Sequence, residues 1–200
     1  IRYLVNELAN VASLGTTDRI FRWWGFNGEK AMANFVARHG EDARPPDGKT
    51  ESGWRIGHAG MHHMLDLSAD TGTQLEWLCK RRPNYLTAHS FVLNEVAKLA
   101  LQRKQHIKLE RIISIGTVLT DDIRKVCKMA FGVEPIDQYG AQETGLLACE
   151  CPWCGRLHVN AETVLVEILD SDGKPCPPGE AGRVIVTSFY NYAMPLIRYE

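Results

Sequence analysis

No stretch of the 200 residues is apolar for long enough to cross a bilayer, which takes roughly 18 apolar residues in succession. Long blocks of like charge are missing too. The 23 basic and 24 acidic side chains leave a formal net charge of -1, so no basic stripe is present to hold a nucleic acid or an anionic membrane. There is no signal-peptide pattern, no internal repeat and no low-complexity tract. What is present is ordinary globular usage. With 44% apolar and 24% charged residues the chain is no disordered segment, and its length suits one domain or one and a half with a sizeable core.

The six cysteines are unevenly placed. Cys79 and Cys127 fall in helix-like stretches and read as buried free thiols. Cys149, Cys151 and Cys154 crowd together, which reads as a metal site rather than a disulfide framework and implies a reducing, cytoplasmic setting.

Hydrophobic rhythm divides the chain into four parts. Residues 1–53 form a helical lead-in and loop: Ile1, Leu4, Val5, Leu8 and Val11 share one helical face, and helical periodicity continues over 18–39 with a break at GFNGE. The stretch GEDARPPDGKTESG at 40–53 is a loop by composition. Residues 54–145 alternate. HHMLDLS is a strand, and Thr71 with Gln74 offers a capping box for a helix that Pro83 stops. NYLTAH is the next strand, followed by a helix capped by Ser90, the strand RIISIG, a helix from Thr120 to Gly132, and the strand PIDQYG. Strands and helices alternating over short connections imply an α/β fold of parallel strands with flanking helices, whose ligands collect beyond the carboxyl ends of the strands. Residues 146–162 are a metal-binding excursion, and 163–200 a β portion in which TVLVEIL and GRVIVTS pair antiparallel.

Residues 139–158, YGAQETGLLACECPWCGRLH, carry the chemistry. Cys151 and Cys154 stand two residues apart before Gly155, with His158 in reach, the pattern of a structural zinc knuckle. Cys149 is the choice for a fourth ligand, because Cys176 falls at the far end of the expected hairpin. A redox CxxC is the rival, although Pro152 and Gly155 indicate a turn rather than a helix start. His58, His62 and His63 diverge as neighbours and read as packing or surface residues, and RWWGF reads as core. SLGTTDRI at 13–20 has too few glycines and no lysine for a phosphate loop.

In order and spacing, YGAQETG, VEILDSDGKPCPPGEAGRVIVTS and NYAMPLIRYE resemble the adenylate-forming superfamily, and within it the phenylacetate–CoA ligase branch and its capsule-polysaccharide-type relatives. RRPNYLTAHSFVLNEVAKLA and RIISIGTVLTDDIRKVCKMAFG extend the resemblance, which covers 83–200 well and 54–82 loosely. It implies an enzyme that joins a small carboxylic acid to ATP, releases pyrophosphate, and passes the acyl group from AMP to CoA. It further implies that Tyr139 stacks on adenine, that Gly140 and Gln138 flank it, and that Gly116 and Thr117 line the other side. Glu143 would hold Mg2+ against the phosphates, and Gln142 stands where the family usually has Thr or Ser. Val118 replaces a frequent acid. The family's phosphate loop would precede residue 1, and its ribose aspartate and lid lysine would follow Glu200. These 200 residues are therefore expected to be an inactive piece of an active enzyme. The alternative reading is a non-catalytic, zinc-stabilised module that binds a nucleotide or a protein.

Overall fold

The computed structural model describes residues 4–37, 43–55 and 57–200. In chain order the elements are α1 (Glu7–Trp23), β1 (Met32–Val36), β2 (Lys49–Ser52), β3 (Met61–Asp66), α2 (Thr71–Arg81), β4 (Tyr85–His89) and α3 (Ser90–Gln102). Then follow β5 (Arg111–Ile115), α4 (Asp121–Phe131), β6 (Pro135–Ala141), β7 (Gly145–Glu150), β8 (Leu157–Val159), β9 (Val164–Leu169) and β10 (Arg183–Ser188). Strands hydrogen-bond in the order β2-β3-β1-β4-β5-β6-β7-β8, and β9 and β10 form a separate antiparallel pair. Two compact units divide the chain: Phe26–Asp137, and Ile1–Gly25 together with Gln138–Glu200.

In the unit Phe26–Asp137, β3, β1, β4, β5 and the start of β6 run parallel. Leu65, Leu75, Leu78, Leu86, Val96, Ile112 and Phe131 pack together out of solvent. Each such side chain contributes roughly 1.5–3 kcal/mol by leaving water, which decides the layer arrangement. Cys127 lies in this core fully buried, and desolvation pushes its thiol up to about 12. Cys79, read as buried, sits at the core's margin and is half-buried.

Four local expectations are corrected here. Residues 32–36 are strand, not helix: Met32, Ala33 and Phe35 are buried where β1 lies between β3 and β4, and a short run buried on both faces shows no alternation. Lys49–Ser52 lies in the stretch read as loop yet forms an edge strand antiparallel to β3. The cap of α2 is Asp70, whose carboxylate accepts from Thr73 N at 3.0 Å, so Thr71 is already helical. Ser90 is likewise inside α3, and its hydroxyl is used elsewhere. Thr120 and Gly132 do bound α4, the latter in the left-handed conformation.

In the other unit α1 is capped by Asn6, which accepts from Ala9 N at 3.0 Å. Its buried residues are Thr16, Ile20 and Phe21, whereas Leu4, Val5, Leu8 and Val11 are exposed; Ile1 lies outside the described residues. The excursion after Glu143 is a strand pair, β7 antiparallel to β6 and β8 antiparallel to β7. No helix among the described residues is long and apolar enough to cross a membrane.

Candidate functional site

Gln142, Glu143 and Thr144 are the loop of the β6–β7 hairpin. The chain enters β7 through Gly145, whose φ of +79 lies in the left-handed region that favours glycine. Gly140 is needed on the opposite strand, since a Cβ there would meet the Gly145 carbonyl oxygen at 2.7 Å. The loop therefore projects Gln142, exposed, and Glu143, half-buried, from a fixed base.

Both side chains line a cavity of about 190 Å³, with Ser13 and Thr16 of α1 and Thr144, Ser188, Tyr190 and Asn191 among the other lining residues. Three buried polar atoms in that lining, Thr16 Oγ1, Thr144 Oγ1 and Asn191 Oδ1, have no hydrogen-bond partner. Buried polar atoms are normally satisfied, so a cavity with two hydroxyls, an amide oxygen and a carboxylate is equipped for a polar or charged ligand. Tyr139 is 45% exposed on β6, and Gln138 beside it has a buried Nε2 without a partner.

Gly116 and Thr117 follow β5 in the other unit. Gly116 takes φ +72, and a Cβ on it would lie 2.7 Å from His89 Cδ2 and 2.9 Å from His89 Nε2. The Thr117 hydroxyl sits 2.6 Å from Ser90 Oγ, which also donates to Val118 O at 2.9 Å. These bonds pin the loop to the start of α3. His89 Nδ1 is buried without a partner beside the Phe91 ring, 5.6 Å away.

The knuckle is the β7–β8 connection. Cys151 N donates to Arg156 O and Gly155 N to Cys151 O, both at 2.9 Å, with Gly155 at φ +64 making the tight return. Sγ of Cys151, Sγ of Cys154 and a ring nitrogen of His158 lie within 4.8 Å of one another. Cys154 Sγ is 3.6 Å from His158 Nε2, a separation that suits two ligands of one tetrahedral zinc with Zn–S about 2.3 Å and Zn–N about 2.0 Å. Burial pushes the Cys151 thiol up, but the Trp153 and Cys154 N–H groups and the Cys154 side chain pull it down further, leaving it below its ordinary value. Donors aimed at sulfur stabilise a thiolate, the form that binds metal. Cys149 does not join the three-residue cluster: it is buried on β7, opposite His158 in register, with Sγ donating to Glu150 O at 3.6 Å. Cys176 stands by Ile168 O and Ala181 O at the far end of the β9–β10 pair, outside the cluster as the hairpin geometry required.

Sequence reasoning read the start of the chain as helical but missed what α1 brings to the site. Trp23, read as core, is half-buried and sets its ring edge-on to His158 at 6.1 Å and to Trp153 at 6.0 Å. Trp24 Nε1 donates to Glu150 O at 2.9 Å. Ser13 and Thr16, dismissed as a failed phosphate loop, line the cavity with Glu143. Positions 13, 16, 20 and 23 share one face of a helix, but that spacing does not tell what the face meets. The histidines at 58, 62 and 63 do pack: His58 against Trp54 at 4.1 Å, His62 Nδ1 at 3.5 Å from Glu51, and His63 Nδ1 at 2.9 Å from Thr50 Oγ1.

Neither a family model nor a curated protein matches the chain. Solved structures do. A 2-hydroxyisobutyryl-CoA ligase in complex with 2-HIB-AMP and CoA superposes over 96% of this chain and 42% of its own, with TM-score 0.70 and 13% identity. The chain has the fold of part of a CoA ligase. The anthranilate CoA ligase AuaEII in complex with anthranoyl-AMP matches 90% of this chain and 35% of its own, at TM-score 0.63 and 16% identity. MatB from Rhodopseudomonas palustris matches 88% and 35%, at TM-score 0.59 and 15% identity. The chain thus spans well under half the length of these ligases. At these identities the likeness shows the fold alone and does not single out the phenylacetate–CoA ligase branch.

Proposed function

We infer that these residues belong to an AMP-forming carboxylate–CoA ligase of the phenylacetate–CoA ligase type. A carboxylate oxygen attacks the α-phosphorus of ATP, the bond to the bridging oxygen breaks, and pyrophosphate leaves. The thiol of CoA then attacks the acyl carbon and AMP departs. The observation that carries this reading is the cavity at the β6–β7 loop, where Gln142 and Glu143 meet buried, unpartnered hydroxyls.

Glu143 is the residue that would hold Mg2+, a hard cation that takes carboxylate oxygen and neutralises charge growing on the phosphates. Gln142 presents an amide donor from an exposed position in the same loop, suited to a phosphate or carboxylate oxygen. Tyr139 offers its ring to adenine, with Gln138 and Gly140 at its sides, and Gly116 and Thr117 present backbone to the nucleotide. Cys151, Cys154 and His158 hold a structural zinc, with Cys149, opposite His158 in register on β7, the candidate for the fourth position once its contact to Glu150 O is released. The reducing environment these thiolates need is that of the cytoplasm.

ATP–pyrophosphate exchange by the full-length protein against a panel of carboxylic acids, aromatic and aliphatic, tests the reading. Acid-dependent exchange is expected, and Glu143→Ala should lower kcat by roughly a hundredfold or more while ATP affinity changes less. Nucleotide binding with no exchange on any acid would favour a non-catalytic binding module instead.

A further inference from the structure

The metal knuckle and the Glu143 cavity share one helix. Toward its C-terminal end α1 is fastened to the knuckle strands and to the segment that follows them. Trp23 lies edge-on to the ring of His158, itself a metal ligand, at an interplanar angle of 87°, and edge-on to Trp153 at 71°. Trp24 Nε1 reaches the carbonyl of Glu150, the residue before Cys151. Arg19 lies over the Trp23 ring at 5.0 Å, donates to Asn160 Oδ1 at 2.7 Å and pairs with Glu162 at 2.6 Å. Two turns earlier, roughly 10 Å along the axis at 1.5 Å per residue, the same helix puts Thr16 and then Ser13 into the cavity lining with Glu143. Its remaining face is exposed at Leu8 and Val11.

We propose that metal capture by Cys151, Cys154 and His158 positions α1 through Trp23, and so keeps Ser13 and Thr16 in the wall of the Glu143 cavity. This rests on the reading of the knuckle as a metal site. The physical ground is the identity of the contacts. The Trp23 ring touches a metal ligand and the residue between the two cysteines, so both surfaces it packs on are the ones a bound ion would fix. Without the ion the loop 151–156 is held by its own backbone bonds and weak sulfur contacts, such as the one of 3.6 Å between Cys154 Sγ and Nε2 of the exposed His158, and these fix the two rings less firmly than a shared metal would. A helix is stiff along its axis, so a change at Trp23 moves Thr16 with it. Trp23, and Arg19 beside it, are positioning residues in this scheme and touch no substrate.

The test is hydrogen exchange on the whole chain, zinc-loaded and after chelation, with zinc counted by atomic emission. Wild type should carry about one zinc per chain. Chelation should speed exchange over residues 9–16 by roughly tenfold or more. Trp23→Leu, which leaves every metal ligand in place, should keep its zinc, yet exchange over 9–16 should no longer respond to chelation. Trp23→Phe should restore the response, because phenylalanine still offers a ring to His158. Bound zinc with no change at 9–16 on its removal would overturn the proposal and leave the metal site standing. A chain that takes up no zinc would remove the metal reading and the proposal with it.

Discussion

Gly116→Ala puts a number on why glycine stands after β5. At φ +72 an alanine costs about 1–2 kcal/mol from its Cβ against the following carbonyl. The same Cβ would lie 2.7 Å and 2.9 Å from two atoms of the His89 ring, inside contact distance, and shifting that ring in a packed setting adds about 1–3 kcal/mol. Gly116→Ala alone should therefore destabilise by about 2–5 kcal/mol. In a His89→Ala background the steric part disappears and the backbone part remains, so the two substitutions should couple by about 1–3 kcal/mol. Urea unfolding of the four proteins of the cycle, followed by circular dichroism, measures this. Both residues lie in the same compact unit, so one transition reports both. Additivity within about 0.5 kcal/mol would refute the steric account and leave the left-handed backbone conformation as the reason for the glycine.

Asn160→Ala removes a buried amide that accepts from Arg19 at 2.7 Å and donates to Leu146 O at 2.9 Å; a loss of about 1–3 kcal/mol is expected in the same assay, and an unchanged midpoint would refute it. Burial, then the charges of Arg81 and His62, hold the His63 pKa below its ordinary value. Its contribution is thus complete above the unfolded value near 6.5 and is lost as pH falls through the folded value. The melting temperature should drop between about pH 7 and 5 in wild type and less in His63→Gln; parallel curves would contradict this. Iodoacetamide on the metal-free native chain should label exposed Cys154 first and leave Cys127 unmodified, and mass spectrometry showing Cys127 labelled at a comparable rate would refute its burial. Zinc content should fall in Cys151→Ser and Cys154→Ser but persist in Cys176→Ser, and full metal retention in Cys154→Ser would remove the knuckle assignment.

The parallel strands and helices from Met61 onward were legible because each carries its own signal: an apolar run for β5, Thr120 and Gly132 around α4, Pro83 after α2. β1 was not. Met32–Val36 is five residues long with one β-branched side chain, and its character as a strand comes from the neighbours on either side. β2 hid behind turn residues, because an edge strand needs little apolar surface. Local spacing gave the knuckle cysteines and His158. The α1 wall of the cavity was illegible for a different reason: Ser13 and Thr16 are separated from Glu143 by more than a hundred residues, and no local pattern encodes that meeting.

The modest strand that composition disguised has a task of its own. β2 is four residues long, lies antiparallel on an otherwise parallel neighbourhood, and carries Lys49 and Glu51 as an ion pair at 3.0 Å. Beyond it the sheet would otherwise offer β3, with the buried run His63, Met64 and Leu65, as a bare rim of amide and carbonyl groups. Such a rim templates the strands of other molecules and starts fibres. A short, charged, polar strand laid across it is a poor template, so the composition that hid β2 is also what makes this margin resist aggregation.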